Sequence, residues 1–201
     1  MHVLVTGAKG FIGKNLIIEL ENRKGVNILE YDIDTDPALL DEYCKCTDFV
    51  FHLAGVNRPK DQSEFIEGNF GFTSKLLDTL KKHDNTCPIL ISSSIQATLN
   101  NPYGQSKKAG EDLLFKYAQE TGAKVLVYRF PNVFGKWCRP NYNSAIATFC
   151  HNVARELPIT VNDPDVTMSL VYIDDVVEEL INALGGKENR VGDFCEVREV
   201  Y

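Results

Sequence analysis

The sequence predicts an α/β fold, a doubly wound parallel sheet with helices on both faces, and three patterns support this prediction. Strand-like and helix-like segments alternate along most of the chain, as such a sheet requires. The segment 48–54 (DFVFHLA) is mostly apolar, which is typical of a strand buried on both faces. A glycine-rich turn at residues 7–13 joins the first predicted strand to the first predicted helix, where open α/β sheets commonly bind nucleotides.

Apolar periodicity and turn residues set the order of the predicted elements. The first helix ends at Lys24, because Gly25 stops it. A long helix begins at Pro102, since proline suits the first helical position and Asn101 is a suitable N-cap. The predicted strands cover residues 3–6, 26–31, 48–54, 88–93, 124–130, 170–173 and 193–200. The predicted helices cover residues 10–24, 37–43, 65–83, 102–121, 144–156 and 174–184.

The length of 201 residues fits one domain, or one domain with part of a second. We expect a dinucleotide-binding, Rossmann-like domain over residues 1–135. Residues 136–201 are expected to form a mixed segment, which combines part of a smaller C-terminal substrate-binding lobe with elements that return to the sheet. Because a strand-like pattern begins at residue 193, close to the end of the sequence, we expect the chain to be a fragment.

Composition and charge disfavour several classes of function. The hydrophobic fraction of 44% and the charged fraction of 24% are ordinary for a globular protein. The formal net charge of −7 disfavours nucleic-acid binding, which needs a basic surface, although a local cluster of Arg and Lys can still bind a small anion. No apolar run approaches the length of a membrane span. We therefore expect a cytoplasmic protein with neither nucleic-acid nor membrane partners.

The cysteines and histidines do not form a metal-binding pattern. Of the six cysteines only Cys44 and Cys46 are close in sequence, and no second pair matches them. Reduced thiols, as in the cytosol, are expected. His52 lies within an apolar run, where we expect a packed, hydrogen-bonded histidine. We predict no metal site.

The glycine-rich turn predicts a dinucleotide cofactor site. Its glycines permit a tight turn, close approach of the backbone to a pyrophosphate, and close packing of helix on strand. The following helix presents free N–H groups and the positive end of its dipole to the phosphates. The residues of the turn that we expect to contact the cofactor are Gly7, Lys9, Gly10, Phe11, Ile12 and Gly13.

Two residues give opposite indications about NAD and NADP. Asp32 ends the second predicted strand, where a carboxylate can bind the adenosine ribose 2′-hydroxyl and repel a 2′-phosphate. Lys9, inside the turn, can instead bind that phosphate. Charge alone does not decide between one anion and one cation at unknown distances.

Tyr103 and Lys107 form the candidate proton-transfer pair. They are four residues apart at the start of the long helix, so they share one face. A free tyrosine titrates near ~10, and an adjacent ammonium favours the phenolate. Tyr103 can then donate a proton to a carbonyl oxygen while hydride reaches the carbon, and Lys107 can also bind the nicotinamide ribose. The preceding strand ends in Ser92–Ser94, which brings a hydroxyl to the same carbonyl.

Several motifs resemble those of the extended short-chain dehydrogenase/reductases. They are the glycine turn, HLAG at 52–55, the serine run, PYGQSK at 102–107, NVFG at 132–135 and YIDDV at 172–176. More narrowly, SSSIQAT at 92–98 and the stretch 130–150 (FPNVFGKWCRPNYNSAIATFC) are similar to the reductase half of bifunctional capsular-polysaccharide enzymes. In those enzymes a zinc-containing cupin epimerase follows the reductase, and we expect that cupin to be absent from this chain.

The resemblance implies a function and a set of site residues. It implies NADPH-dependent reduction of the 4-keto group of a UDP-linked 4-keto-6-deoxy-N-acetylhexosamine, on the way to UDP-N-acetyl-L-fucosamine. NADP(H) is therefore slightly favoured, with Asp32 turned outward to solvent, and NAD(H) stays possible. The implied site residues are Ser94, Tyr103 and Lys107 for catalysis, Leu53, Ala54 and Gly55 for the cofactor, and Ser94 and Asn132 for the substrate.

Two departures from the family pattern bear on the substrate and the reaction. Met168–Ser169 stands where many extended members carry Arg-Asp, and that Arg contacts the nucleotide diphosphate. We assign the contact to Lys136 or Arg139 instead. Ile95–Gln96 stands where sugar 4,6-dehydratases carry Asp-Glu, which disfavours dehydration and favours reduction.

Two alternative functions use the same features. An NAD-dependent nucleotide-sugar 4-epimerase has the same three catalytic residues but retains its NAD. A nicotinamide-sensing regulatory protein binds the cofactor without turnover, and it needs no proton donor. The resemblance also implies a homodimer that forms through the helices predicted at 65–83 and 102–121.

Overall fold

A seven-stranded sheet forms the centre of the protein in a computed structural model, which describes residues 1–59, 61, 63–161 and 163–198. The strands are β1 (His2–Thr6), β2 (Asn27–Tyr31), β3 (Phe49–His52), β4 (Ile89–Ser94), β5 (Val125–Phe130), β6 (Asn132–Phe134), β7 (Leu170–Tyr172), β8 (Arg190–Val191) and β9 (Phe194–Cys195). The order in the large sheet is β2-β1-β3-β4-β5-β9-β8, and β6 pairs with β7 in a second sheet. All neighbours are parallel except β8 and β9.

Helices cover both faces of the large sheet. They are α1 (Phe11–Glu21), α2 (Ala38–Cys46), α3 (Ser63–Phe65), α4 (Phe72–Lys82), α5 (Pro102–Thr121), α6 (Ala145–Val153) and α7 (Ile173–Leu184). A π-helical segment, Ile66–Gly71, joins α3 to α4, and a 3₁₀ turn, Ile95–Thr98, follows β4. None of the helices that the structure describes is both long enough and apolar enough to span a membrane.

Alternation along the strands divides the core into two layers, since successive strand residues point to opposite faces. Val3 and Val5 join the layer beneath α1 and α7. Leu4 joins the layer beneath α2, α4 and α5. Phe51 and Val50 of β3 divide in the same way. The predicted doubly wound parallel sheet is therefore confirmed.

Several predicted elements differ from those observed, and one observed strand was not predicted. The first helix, predicted to end at Lys24, ends at Glu21. The predicted helix 65–83 begins at Ser63 and is interrupted by the π-helical segment. There the loop after β3 comes so close to the helix that a Cβ on Gly68 would lie 2.2 Å from Val56 Cγ2. The predicted strand 193–200 is reduced to β9, paired with β8, and residues 199–200 lie outside the described residues. The strand β6 was absent from the prediction.

Residues beyond 135 leave the sheet and return to it. They form α6, then β7 and α7, and α7 packs on α1. At Tyr128 the strand β5 pairs with Cys195 of β9, which brings the chain back into the large sheet. The division at residue 135 stays a prediction.

Candidate active site

A cavity of about 840 Å³ brings together most of the predicted site residues. It lies at the carboxyl ends of the parallel strands, where α/β sheets bind ligands. The predicted residues that line it are Ser94, Tyr103 and Lys107, then Lys9, Gly10, Phe11, Ile12, Leu53 and Gly55, and finally Asn132 and Arg139. The predicted residues outside this lining are Gly7, Gly13, Asp32, Ala54 and Lys136.

The glycine turn has the shape that a dinucleotide pyrophosphate needs. Gly7 has φ of +70°, a conformation that favours glycine, and a Cβ there would lie 2.7 Å from the backbone nitrogen of Ala54. A Cβ on Gly13 would lie 2.2 Å from the Gly7 carbonyl oxygen. Gly10 is the N-cap of α1 and offers no side-chain cap, so the first N–H groups of the helix are available to phosphate oxygens.

Asp32 is fixed against this turn. Its Oδ2 accepts a hydrogen bond from the backbone N–H of Lys9 at 2.7 Å, and its Oδ1 accepts one from the backbone N–H of Ile33 at 2.8 Å. The ammonium of Lys9 pairs with Asp34, and this pairing raises the pKa of Lys9. The expectation that Asp32 turns outward is therefore wrong, because its carboxylate is held by backbone N–H groups.

Tyr103 and Ser94 lie side by side at the entrance to α5. Burial raises the pKa of Tyr103, and the nearby Ser94 hydroxyl opposes this shift. The rings of Phe65 and Tyr103 pack with their centroids 5.7 Å apart. The sequence predicted that Lys107 would lower the pKa of Tyr103, and this is wrong because burial raises that pKa. Tyr103 is a protonated phenol at neutral pH.

Lys107 lies one turn further along α5. Its ammonium donates a hydrogen bond to the carbonyl oxygen of Ser92 at 3.0 Å. Burial lowers the pKa of Lys107 to about 8, and Glu111 opposes this shift. A Cβ on Gly55 would lie 3.0 Å from the Lys107 ammonium nitrogen, so glycine at that position leaves the ammonium its space.

Asn69 is a buried residue behind the lining of the cavity that the sequence did not reveal. Its Oδ1 accepts a hydrogen bond from the Val56 N–H at 2.9 Å, and its Nδ2 donates to the Val56 carbonyl at 3.0 Å. Nδ2 also donates to Ser106 Oγ at 2.9 Å. Asn69 thus ties the loop after β3 to α5. It lies in the π-helical segment, a type of irregularity frequent at functional sites, and no spacing pattern in the sequence indicates it.

His52 is buried behind the site, as expected. Its Nδ1 lies 2.7 Å from Thr6 Oγ1, and its Nε2 lies 2.8 Å from Thr73 Oγ1. Burial, with a smaller effect of Lys107, lowers the pKa of His52 to about 3. The ring is therefore neutral and serves as a packed link between β1, β3 and α4.

Every charged side chain in the described lining of the cavity is a cation. These side chains belong to Lys9, Lys14, Arg58, Lys107 and Arg139. The guanidinium carbons of Arg58 and Arg139 lie 5.7 and 5.3 Å from the centre of the Tyr142 ring, within the range of cation–π attraction. The cavity therefore suits ligands that carry phosphate groups, although the chain as a whole has a net charge of −7.

The remaining predicted substrate residues differ in their surroundings. Lys136 Nζ pairs with Asp174 at 2.8 Å and does not line the cavity. Asn132 lines the cavity, and its Nδ2 donates to the Ser169 carbonyl oxygen at 3.3 Å. Arg58 was missed, because a single arginine in a loop has no distinguishing sequence pattern.

All the cysteines are free thiols, and two of them, Cys44 and Cys195, are buried. Over residues 1–59, 61, 63–161 and 163–198, no group of three or more His, Cys, Asp or Glu side chains is arranged to hold a metal ion.

Comparison with known proteins finds nucleotide-sugar enzymes that are similar to this chain. Residues 3–193 match the NAD dependent epimerase/dehydratase family. UDP-2-acetamido-2,6-β-L-arabino-hexul-4-ose reductase of Pseudomonas aeruginosa is 46% identical over 187 residues, which cover 93% of this chain and 50% of that protein. UDP-glucuronate 4-epimerase 1 of Arabidopsis thaliana is 26% identical over 247 residues, with coverage of 96% and 57%.

Solved structures agree with these matches. The capsular polysaccharide assembling protein CapF from Staphylococcus aureus superposes with a TM-score of 0.90 at 46% identity, over 100% of this chain and 55% of that chain. UDP-glucuronic acid 4-epimerase from Bacillus cereus, in complex with NAD, superposes with a TM-score of 0.85 over 100% of this chain and 80% of that chain. Its sequence identity is 23%, so this likeness shows the fold alone.

The chain spans about half the length of the Pseudomonas reductase and of CapF. The resemblance to extended short-chain dehydrogenase/reductases is confirmed, since the family match extends over nearly the whole chain and includes the glycine turn and the Tyr103–Lys107 pair. The chain belongs to the NAD dependent epimerase/dehydratase family of extended short-chain dehydrogenase/reductases.

Proposed function

We propose that the chain carries the reductase site for the 4-keto group of a UDP-linked 4-keto-6-deoxy-N-acetylhexosamine, in precursor synthesis for capsule or surface polysaccharide. One observation carries the proposal: Ser94, Tyr103 and Lys107 meet in a cavity whose charged lining is cationic. The names of two relatives support the substrate class, since one is a UDP-hexulose reductase and the other a capsular polysaccharide protein.

The residues of this chain supply the proton and stabilise the charge. A nicotinamide cofactor, when bound, would supply the hydride for the carbonyl carbon. Ser94 polarises the carbonyl oxygen, and Tyr103 donates its proton to that oxygen. The raised pKa of Tyr103 keeps it protonated until then. With a pKa of about 8, Lys107 is mostly an ammonium at neutral pH, so it stabilises the phenolate that donation leaves behind.

The cofactor would lie along the carboxyl edge of the sheet. Gly10, Phe11 and Ile12 at the start of α1 would meet its pyrophosphate, and the loop 53–55 would face its ribose and nicotinamide. Lys107 would bind the nicotinamide ribose. This arrangement is supported by the close packing of the glycine turn at residues 7–13 and by the start of α1, which has no side-chain cap.

Within the nicotinamide cofactors we propose NADH. Asp32 is held by two backbone N–H groups, and Asp34 already pairs with Lys9. A 2′-phosphate, with a charge near −2, would meet both carboxylates, whereas a ribose 2′-hydroxyl can donate to Asp32. The family resemblance and Lys9 imply a slight preference for NADPH. We give more weight to the repulsion between Asp32 and a 2′-phosphate, because the Asp32 carboxylate is fixed.

Dissociation constants for NADH and NADPH test this choice on wild type, Asp32→Ala and Lys9→Ala. Wild type should bind NADH more tightly, and Asp32→Ala should weaken NADH and strengthen NADPH. If wild type prefers NADPH and Lys9→Ala removes that preference, Lys9 reads a 2′-phosphate and the choice of NADH is wrong.

For the UDP end of the substrate we propose Arg58 and Arg139. Both line the cavity and approach the same Tyr142 ring, and arginine binds phosphate oxygens in a bidentate manner. Lys136 is left out because its ammonium is paired with Asp174. Asn132, in the lining, remains the candidate for a contact to the sugar.

A homodimer and a cytoplasmic location complete the proposal. The outer surface of the π-helical segment and α4 exposes Ile66 and Phe70, beside a groove of about 560 Å³. Apolar side chains on such a surface favour pairing with a second copy. The cytoplasm is where nucleotide-activated sugars and reduced nicotinamide are available to such an enzyme.

A nucleotide-sugar 4-epimerase is the second candidate, because several relatives are epimerases. The two functions differ in what happens to the cofactor. The purified chain should be mixed with NADH and UDP-4-keto-6-deoxy-N-acetylhexosamine, while nicotinamide absorbance and the product's NMR spectrum are followed. A reductase oxidises one NADH for each sugar reduced. A 4-keto carbon has no configuration to invert, so the epimerase is tested on a UDP-hexose that carries a 4-hydroxyl group. Inversion at C4 of that sugar by protein that retains its own NAD, with no added NADH consumed, would instead identify an epimerase.

A further inference from the structure

The face of α5 that forms the active site continues one turn beyond Lys107, to Glu111. Tyr103, Lys107 and Glu111 are spaced at four residues, so they lie above one another. Each meets one serine of the run Ser92–Ser94. Tyr103 has the third serine's hydroxyl beside it, Lys107 donates to the first serine's carbonyl at 3.0 Å, and Glu111 Oε1 accepts from the second serine's hydroxyl at 2.6 Å.

Glu111 is an anion enclosed in the fold. Its exposed fraction is 0%, and Arg129 binds both its oxygens, Nε to Oε1 at 2.8 Å and Nη2 to Oε2 at 2.5 Å. The guanidinium of Arg129 lies 3.9 Å from the centre of the Phe194 ring. A buried carboxylate stays ionised only when it is paired and hydrogen-bonded in this way. The fold therefore maintains a negative charge one turn from Lys107.

The other groups that face Lys107 do not supply this charge. On α5, Tyr103 is a neutral phenol with a raised pKa. From β3, His52 is neutral because its pKa is about 3. The π-helical segment contributes the neutral amide of Asn69, and β4 contributes neutral serines. The guanidinium of Arg129, from β5, forms an ion pair with Glu111. Among the described residues, Glu111 is the anion that raises the pKa of Lys107.

We propose that Glu111 is a positioning residue that keeps Lys107 an ammonium ion during proton transfer from Tyr103. The proposal rests on the proposed reductase function for its catalytic meaning, while the charge state of Lys107 can be measured without turnover. Even with Glu111 present, burial brings the pKa of Lys107 to about 8. Without the carboxylate that pKa would fall toward neutral pH, and the phenolate would lose its stabilising charge.

Glu111→Gln keeps the size and hydrogen-bonding capacity of the side chain and removes its charge. We expect it to lower the pKa of Lys107 by about one pH unit, the lower end of the effect of an adjacent opposite charge. Glu111→Asp keeps the charge and should restore most of the difference. The pKa is read from the pH titration of the ¹³Cε resonance of labelled Lys107 in the intact chain, assigned by its loss in Lys107→Met.

Turnover gives a second readout. The alkaline limit of the kcat profile should move to lower pH by the same amount in Glu111→Gln, because Lys107 then loses its proton earlier. If no keto sugar is reduced but the Lys107 titration shifts as expected, the proposed reductase function fails and the charge effect of Glu111 stands.

A matched control separates charge from general loss of structure. Glu179 is also a buried carboxylate, and it accepts hydrogen bonds from Tyr128 Oη and the Asn189 N–H, both at 2.7 Å. Glu179→Gln should lower the melting temperature without moving the pKa of Lys107. If Glu111→Gln does not fold, the double variant Glu111→Gln/Arg129→Met removes the buried pair together, a change that folds often tolerate. An unchanged Lys107 pKa in folded Glu111→Gln, or in the double variant compared with Arg129→Met, would overturn the proposal, because in both comparisons the charge of residue 111 is the only difference.

Discussion

Tyr103 holds its proton more tightly than a free tyrosine, because burial raises its pKa. That property suits a proton donor in reduction. Tyr103→Phe removes the proposed donor and leaves the ring packed against Phe65. We expect turnover to fall by at least ~100-fold, the scale of a lost general acid, with cofactor affinity nearly unchanged. Stopped-flow turnover and cofactor titration check this, and near wild-type turnover would exclude Tyr103 as the donor.

His52 gives the protein a specific sensitivity to acid. Its pKa in the folded chain is about 3, well below the ordinary value of 6.5. Between these two pH values the imidazole is protonated in the unfolded chain and neutral in the folded chain. Stability is therefore lost as the pH falls from 6.5 toward 3, by about 1.4 kcal/mol per pH unit for this one group. Urea unfolding at several pH values measures the slope. His52→Gln, which does not titrate, should lose that part of the slope, and an equal slope in both proteins would contradict the assignment.

At the residue scale, the sequence could predict the groups whose position follows from a local pattern. Tyr103 and Lys107 are one helical turn apart, and Gly7–Gly13 lie between a strand and a helix, so their chemistry could be inferred from spacing. Asn69 and Arg58 could not be predicted, because their importance depends on contacts between distant segments. The pKa of Tyr103 was also mispredicted, since burial is a property of the folded chain.

The start of α5 is the element on which the site depends most closely. A Cβ on Gly104 would lie 2.1 Å from the Gln96 carbonyl oxygen and 2.8 Å from that of Leu99. The first turn of α5 therefore packs directly on the 3₁₀ turn after β4. A side chain at Gly104 would push Tyr103 away from Ser94.

Gly104→Ala and Gly110→Ala form a matched pair within α5. We expect Gly104→Ala to lower stability by about 1–3 kcal/mol, as overpacking does, and to reduce turnover. A Cβ on Gly110 would meet its nearest neighbours at 3.6–3.8 Å, an ordinary contact, so Gly110→Ala should be tolerated and should stabilise the helix by up to about 1 kcal/mol. Thermal unfolding and kcat of both variants test the pair. Equal effects would show that the contact with the 3₁₀ turn is unimportant.

At the element scale, type was more predictable than extent. The helix α5 begins at Pro102, as predicted from Asn101, whose Oδ1 accepts the Gly104 N–H at 2.7 Å. The π-helical segment was not predictable, because it arises where the loop after β3 crowds Gly68. The short strand β6 was missed for a similar reason, since its partner β7 is distant in sequence.

For the whole molecule, the exposed apolar residues of the π-helical segment support a dimer. Phe70 is 37% exposed and lines the groove on the outer surface of α4. Wild type should have twice the chain mass of 22.6 kDa in light scattering. Phe70→Lys should shift it to monomer, whereas Val166→Lys, at an exposed apolar residue between α6 and β7, should not. A monomeric wild type at high micromolar concentration would contradict the dimer.

The sheet itself was predictable at this scale, since alternating strands and helices with right-handed crossovers leave few arrangements. The pairing of β9 with β5 was harder to predict from the sequence, because it consists of a single bridge between Tyr128 and Cys195. Assembly of the cavity from loops after several strands follows from the parallel topology. That the charged side chains in its described lining are all cations depends on which side chains turn inward.

That lining has a consequence for the rates of ligand exchange. Electrostatic attraction is screened over about 8 Å at physiological ionic strength, so an approaching nucleotide meets the net charge of −7 before it meets the cavity. The cations should therefore prolong residence of the bound nucleotide without speeding its capture. Raising the salt concentration should increase the dissociation rate of UDP and leave its association rate nearly constant in stopped-flow experiments. A steep fall in association would mean that the cavity's field extends well beyond its mouth.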